Sequence, residues 1–173
     1  MKYIIRKFSK AKWSLIPHDT GDYKNLQADA VTSCLRTSSN TLSVWAVEST
    51  DWEDMYGVLA ALFSSSDTPT RTDVIIIERD KIEGELGISL VQSDGATPAV
   101  DIINNLHYDL VKIDLLKVDA FANLMYLENI KPKNPMIRRF NENEVIRIVK
   151  ESISNNLIDP EKLKQRWRDR LEQ

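Results

Sequence analysis

His107 and Asp109 stand two residues apart, a spacing that puts both side chains on one face of a β-strand. An imidazole beside a carboxylate is the base and orienter of nucleophilic catalysis. The third member is missing, because no serine, nor the single Cys34, sits in an elbow of the G-x-S-x-G kind. His18 precedes Asp19 in a loop and adds nothing. Asp73, Glu78, Asp80 and Lys81 carry the residue types of a magnesium-dependent nuclease. Their spacing does not fit, since the lysine directly follows Asp80 and leaves the strand face of Glu78. No catalytic residue and no metal ligand set is therefore assigned.

Arg36, Ser38 and Asn40 form the candidate ligand-binding set, in the polar run Arg36-Thr37-Ser38-Ser39-Asn40 ahead of an apolar strand. Hydroxyls and amides there could cradle a phosphate or a sugar. The same residue types also close turns on their own backbone. Glycine occurs five times, and neither a P-loop nor a dinucleotide fingerprint is present, so no cofactor is expected.

The last helix offers a different chemistry. Lys162, Lys164, Arg166, Arg168 and Arg170 nearly encircle it, and its apolar stripe is only Leu163, Trp167 and Leu171. Three such residues contribute at most about 4–7 kcal/mol before ordering entropy is subtracted. A helix held so weakly can offer Trp167 to a partner as an aromatic anchor. Leu163, Arg166, Trp167, Arg168, Arg170 and Leu171 are the partner-binding candidates, and the basic side chains imply a protein partner with an acidic surface.

Charge asymmetry points the same way. The net charge of −3 divides into 12 basic and 19 acidic residues over 1–130, against 11 basic and 7 acidic over 131–173. A second basic segment lies at the other end: five of the first twelve residues are Lys or Arg, with no acid among them. Tyr3, Phe8 and Trp13 interleave with these cations, a pattern of single-stranded nucleic-acid binding and equally of an edge strand with lysines turned outward.

The elements that position these residues follow from periodicity. Lys2–Phe8 is β-prone, and Pro17, Asp19, Gly21, Asp22 and Asn25 mark a loop over 17–26. Ala28–Arg36 reads as a short helix. Thr41–Glu48 alternates as a strand, and Thr50-Asp51-Trp52-Glu53 has the form of a capping box for a helix over about 51–63. Val74-Ile75-Ile76-Ile77 is a strand covered on both faces. Strand, helix and strand in succession predict one βαβ unit with its two strands parallel neighbours. A short helix from Asp80 to Gly87, strands at 88–92 and 108–113, and helices after Thr97-Pro98 and Asp114 complete the core. Pro132 and Pro135 bound a linker. Asn141–Glu144 caps one further helix and Asp159-Pro160 opens the last.

The fold class expected is α+β or α/β, a short mixed sheet with one βαβ unit flanked by helices, followed by a C-terminal helical pair. The domains expected are a core over 1–130 and an appendage over 136–173. One cysteine excludes an internal disulfide and suits a reducing compartment. No apolar run is long enough to span a bilayer, and the N-terminus does not read as a signal peptide. A cytoplasmic, non-enzymatic interaction or regulatory protein acting through its basic C-terminal helices is the function expected. The alternatives are a nucleic-acid-binding accessory protein and a small hydrolase or transferase with its site near Arg36 and His107.

Overall fold

The computed structural model describes residues 1–13, 26–130 and 136–172, without the side chains of residues 129 and 130. Residues 17–25 of the predicted 17–26 loop, with His18, and the Pro132–Pro135 linker lie outside the described residues. Six strands make one antiparallel sheet: β1 (Tyr3–Phe8), β2 (Leu42–Val47), β3 (Thr72–Glu78), β4 (Ser89–Gln92), β5 (His107–Val111) and β6 (Ile137–Phe140). Their order is β4-β5-β2-β1-β3-β6. The α-helices are α1 (Ala28–Cys34), α2 (Trp52–Ser64), α3 (Asp101–Asn104), α4 (Leu115–Ile130), α5 (Glu142–Ser154) and α6 (Gln165–Leu171). The architecture is α+β, with helices on both faces of the sheet.

β2, α2 and β3 follow one another as predicted, but the two strands are not neighbours. β1 lies between them, antiparallel to each, so β2 and β3 run in the same direction without sharing a hydrogen bond. The reason lies in β1 itself. Ile4 and Ile5 are both buried, on opposite faces, which a central strand satisfies and an exposed edge does not.

One core packs Ile5, Trp45, Val47, Val74 and Ile76 beneath α2 and α5. The other packs Ile4, Phe8, Leu42, Val44, Ile75, Ile77 and Leu110 against α1 and α4. All four residues of Val74–Ile77 are buried, as a doubly covered strand requires. Asn141 caps α5 with a complete capping box: its Oδ1 accepts from the Glu144 amide at 3.0 Å, and Glu144 accepts from the Asn141 amide at 2.7 Å.

Two other caps differ from expectation. Asp51, not Thr50, is the N-cap residue of α2, and its side chain makes no capping bond. Thr50 instead gives its carbonyl to Arg138 at 2.9 Å. Thr97 caps no helix, because α3 begins only after Val100. Its hydroxyl donates to Asn104 Oδ1 at 2.7 Å and accepts from the Ala99 amide at 3.2 Å.

The C-terminal segment does not stand apart from residues 1–130. β6 extends the sheet beside β3, with Thr72 opposite Phe140 and Ile75 opposite Ile137. Val145, Ile148, Val149, Ile158, Leu163 and Trp167 enter the same core as α2. The predicted last helix is broken. Pro160–Lys162 forms a 3₁₀ turn, Leu163 is extended at ψ 143°, and α6 starts afresh at Gln165. The break turns both Leu163 and Trp167 inward. Trp167 is fully buried, and its indole N–H donates to the Ser66 carbonyl at 3.1 Å.

Trp167→Ala is expected to lower stability by about 3–5 kcal/mol, as for a large aromatic removed from a packed interior. Urea unfolding followed by tryptophan fluorescence and circular dichroism measures it. A loss below about 1 kcal/mol would mean that the indole packs on the surface.

Candidate functional site

The two sides of β1 are paired to different lengths. Against β3 the ladder runs through all six residues, Tyr3 to Phe8. Against β2 it covers only Tyr3, Ile4 and Ile5. Beyond Ile5 the strands fork, and the Ser43 carbonyl is left without its ladder partner. The Arg6 guanidinium enters the fork. Its Nη1 donates to the Ser43 carbonyl, and its Nε donates to the Cys34 carbonyl at the end of α1 at 2.9 Å.

The fork opens into a cleft of about 840 Å³, a size that suits a small organic ligand. Arg6, Lys7, Lys12 and Arg71 line it, and Asp73 is the one carboxylate among its described lining residues. That carboxylate is already engaged. It accepts from Arg139 Nε at 2.7 Å and from the Lys10 amide at 3.1 Å. Hydroxyls of Ser9, Ser66 and Thr70 add neutral donors.

Lys7 points to the α2 side of the sheet, where its ammonium donates to Ser66 Oγ just beyond the helix C-terminus. No carboxylate forms an ion pair with Arg6 or Lys7 among the described residues. Burial pushes the Lys7 ammonium down to about 8, with the neighbouring charge of Lys164 adding to the effect. Burial likewise pushes Arg6 down to about 10, opposed by Cys34. Among the described residues these cations lack the counter-charge that normally accompanies burial.

The far wall is closely packed. Trp45 packs edge-on to His107, with ring centroids 5.2 Å apart. Beside them the loop over 93–99 is tied to buried Asn104, whose Nδ2 donates to the Ala99 carbonyl at 2.6 Å. Gly95 is required there: a Cβ would lie 2.8 Å from both Trp45 and Asn104 Oδ1. A smaller recess of about 330 Å³ continues from Ser65, Ala96 and Thr97 to Lys162 and Lys164.

The residues singled out from sequence are distributed as follows. His107 lines the cleft, but its Nδ1 lies 2.8 Å from Ser93 Oγ, and Asp109 accepts from Ser43 Oγ at 3.2 Å. The carboxylate therefore does not orient the imidazole. Arg36, Ser38 and Asn40 do not join them. Ser38 and Thr41 exchange backbone hydrogen bonds at 3.1 and 2.9 Å, and Ser39 and Asn40 take φ of 51° and 59°. The polar run is a tight turn, and its three candidate side chains face solvent.

Of the partner-binding candidates, Leu163 and Trp167 belong to the protein's own core and Leu171 packs against it. The side chain that was to anchor a partner is therefore not accessible. Arg166 and Arg168 are exposed, and Arg170 pairs with Glu142 at 2.8 Å. Lys81, from the rejected nuclease pattern, pairs with buried Glu128 at 3.0 Å. No group of three metal-ligating side chains occurs among the described residues. No helix among them is long and apolar enough to cross a membrane.

The cleft was not among the sequence candidates. Its signal was the run of five basic residues without an acid in the first twelve, together with the inward demand of Ile4 and Ile5 on both faces. Neither family models, nor curated proteins, nor solved structures give a match to this chain.

Lys7→Met is expected to stabilise the protein at pH 7. The folded pKa lies below the unfolded one, so the buried charge costs most below pH 8 and nothing above about 10.5. The difference between variant and wild type, at most about 3 kcal/mol at pH 7, should shrink as pH rises through that window. Denaturant unfolding of both proteins at pH 7, 8.5 and 10 measures it. A variant less stable than wild type at pH 7 would show that Lys7 is compensated.

Proposed function

We propose that the protein is a non-enzymatic binding protein whose ligand carries phosphate and enters the cleft at the β1–β2 fork. One observation carries the reading: Arg6 and Lys7, adjacent on a central strand, are partly buried with no carboxylate partner among the described residues. A phosphate group offsets what their burial costs, and it matches guanidinium geometry. Lys12 and Arg71 supply further charge, and the surrounding serine and threonine hydroxyls supply donors that do not discriminate against a dianion. The binding class stays as the sequence implies, but the site moves from the last helix to the cleft. A cytoplasmic setting accords with the single cysteine.

A second reading, a nucleic-acid-binding accessory protein, is favoured by the continuation of the groove to Lys162 and Lys164. It joins the two basic segments of the sequence along one path. Here phosphates would follow one another from Arg6 to Lys164.

Inorganic pyrophosphate is expected to raise the melting temperature and to bind in titration calorimetry, with affinity falling as salt rises. Arg71→Ala combined with Lys12→Ala should weaken that binding at least tenfold with little change in stability. Absence of any shift at millimolar pyrophosphate, orthophosphate or nucleotide would sink the reading. For the second reading, a fluorescent oligonucleotide should bind with a salt slope that falls by roughly 1.4 in the Lys162→Ala, Lys164→Ala protein, about 0.7 for each phosphate no longer neutralised. An unchanged slope would exclude the extended path.

A further inference from the structure

We infer that Lys7 is a nucleophilic amine within the cleft, and that the ligand is a phosphorylated aldehyde or ketone held on its Nζ as an imine. The inference rests on the anion-binding reading above and adds the second functional group of the ligand. Two features of geometry and one of charge support it. Lys7 lines the same cleft as Arg6, Lys12 and Arg71, so a phosphate held among those cations would bring the rest of a small molecule toward Nζ. The amine makes no ion pair among the described residues; its contact is the hydroxyl of Ser66. Lys164, held by Asp67, presents a second positive charge toward it.

The charged groups around Lys7 are thus Lys164 with Asp67, Arg6, Lys12, Arg71, and Asp73 with Arg139, and His107 is the remaining titratable lining side chain. Burial and the Lys164 charge hold the ammonium down at about 8. At pH 7.5 roughly a quarter of the molecules carry the free amine, against about a thousandth for an exposed lysine. Desolvation next to another cation is a recognised way of activating a lysine.

The step is redox-neutral and balanced. The Nζ lone pair attacks the carbonyl carbon and gives a carbinolamine. The carbon–oxygen bond then breaks, the oxygen departs as water with both amine hydrogens, and a C=N bond remains. The reverse addition of water releases the ligand, so the site holds it reversibly. Ser66 is a positioning residue, fixing the direction of Nζ.

Pyridoxal 5′-phosphate, an aldehyde that carries phosphate, is the probe, with borohydride trapping and peptide mass mapping on the full chain. Lys7 should be modified at least tenfold faster than any other lysine, with a rate that rises to half-maximum near pH 8. Lys7→Arg should lose that adduct while melting as wild type does. Should that variant fail to fold, Lys164→Ala keeps the test sharp, because removing the cation should move the midpoint to higher pH. Modification spread evenly over exposed lysines, or a midpoint unmoved by Lys164→Ala, would overturn the inference. Pyrophosphate that binds while Lys7 stays unlabelled would also overturn it and leave the anion reading standing. If instead unphosphorylated pyridoxal labels Lys7 as fast and pyrophosphate gives no protection, the phosphate requirement falls with the anion reading, and only the amine survives.

Discussion

The unequal pairing of β1 is the constraint from which the site follows. Six residues are laddered to β3 and only three to β2. A backbone carbonyl inside a protein must find a donor, and at the fork the donor is Arg6, which satisfies Ser43 and the end of α1 together. A guanidinium fixed by two neutral acceptors keeps its full charge. Lys7, next along the strand, meets a serine hydroxyl on the other face. The fork therefore creates the cleft and places in it two cations that pair with no carboxylate among the described residues.

Such an arrangement lowers stability, and close packing under α2 offsets it. Trp167, Phe63, Met55 and Ile76 are essentially without exposure. Phe63 meets Phe140 edge-on at 5.2 Å, which ties α2 to β6. The Trp167 indole binds the Ser66 carbonyl, and the Ser66 hydroxyl receives Lys7. One residue thus joins the anchor of the C-terminal segment to the floor of the cleft. This is why the last helix matters to the site even though it offers no exposed aromatic.

Local chemistry was legible in the sequence where it is decided locally. The Val74–Ile77 run, the Asn141 capping box and the helix start after Asp114, whose Oδ1 accepts from the Lys117 amide at 2.9 Å, all follow from neighbouring residues. Pairing between distant segments was not. Nothing near β2 or β3 indicates that β1 will lie between them. The last helix misled for another reason: a single helical phase from Pro160 makes a narrow stripe, whereas the extended Leu163 resets the phase and sends both apolar residues inward. The polar turn at 38–41 could be read as a cradle or as a turn, and consecutive positive φ at Ser39 and Asn40 decides for the turn. The basic residues of β1 suit an edge strand with lysines in solvent. Central placement is what converts them into the lining of a cleft.

Charge distribution separates the two ligand classes compatible with that site. The cleft is cationic, but the chain as a whole carries −3, and residues 1–130 hold 19 acids against 12 bases. Screening confines each charge to within about 8–10 Å at physiological salt. A small phosphate ester that fits in about 840 Å³ therefore meets the local field of Arg6, Lys7, Lys12 and Arg71. A long nucleic acid would leave the groove beyond Lys164 and pass over the exposed carboxylates of the surrounding surface, Asp67 among them. Each phosphate outside the groove then meets repulsion where each one inside meets attraction. The balance favours the proposed compact ligand with one or two phosphates over a chain of many, and only a compact ligand would bring its remaining atoms to Lys7.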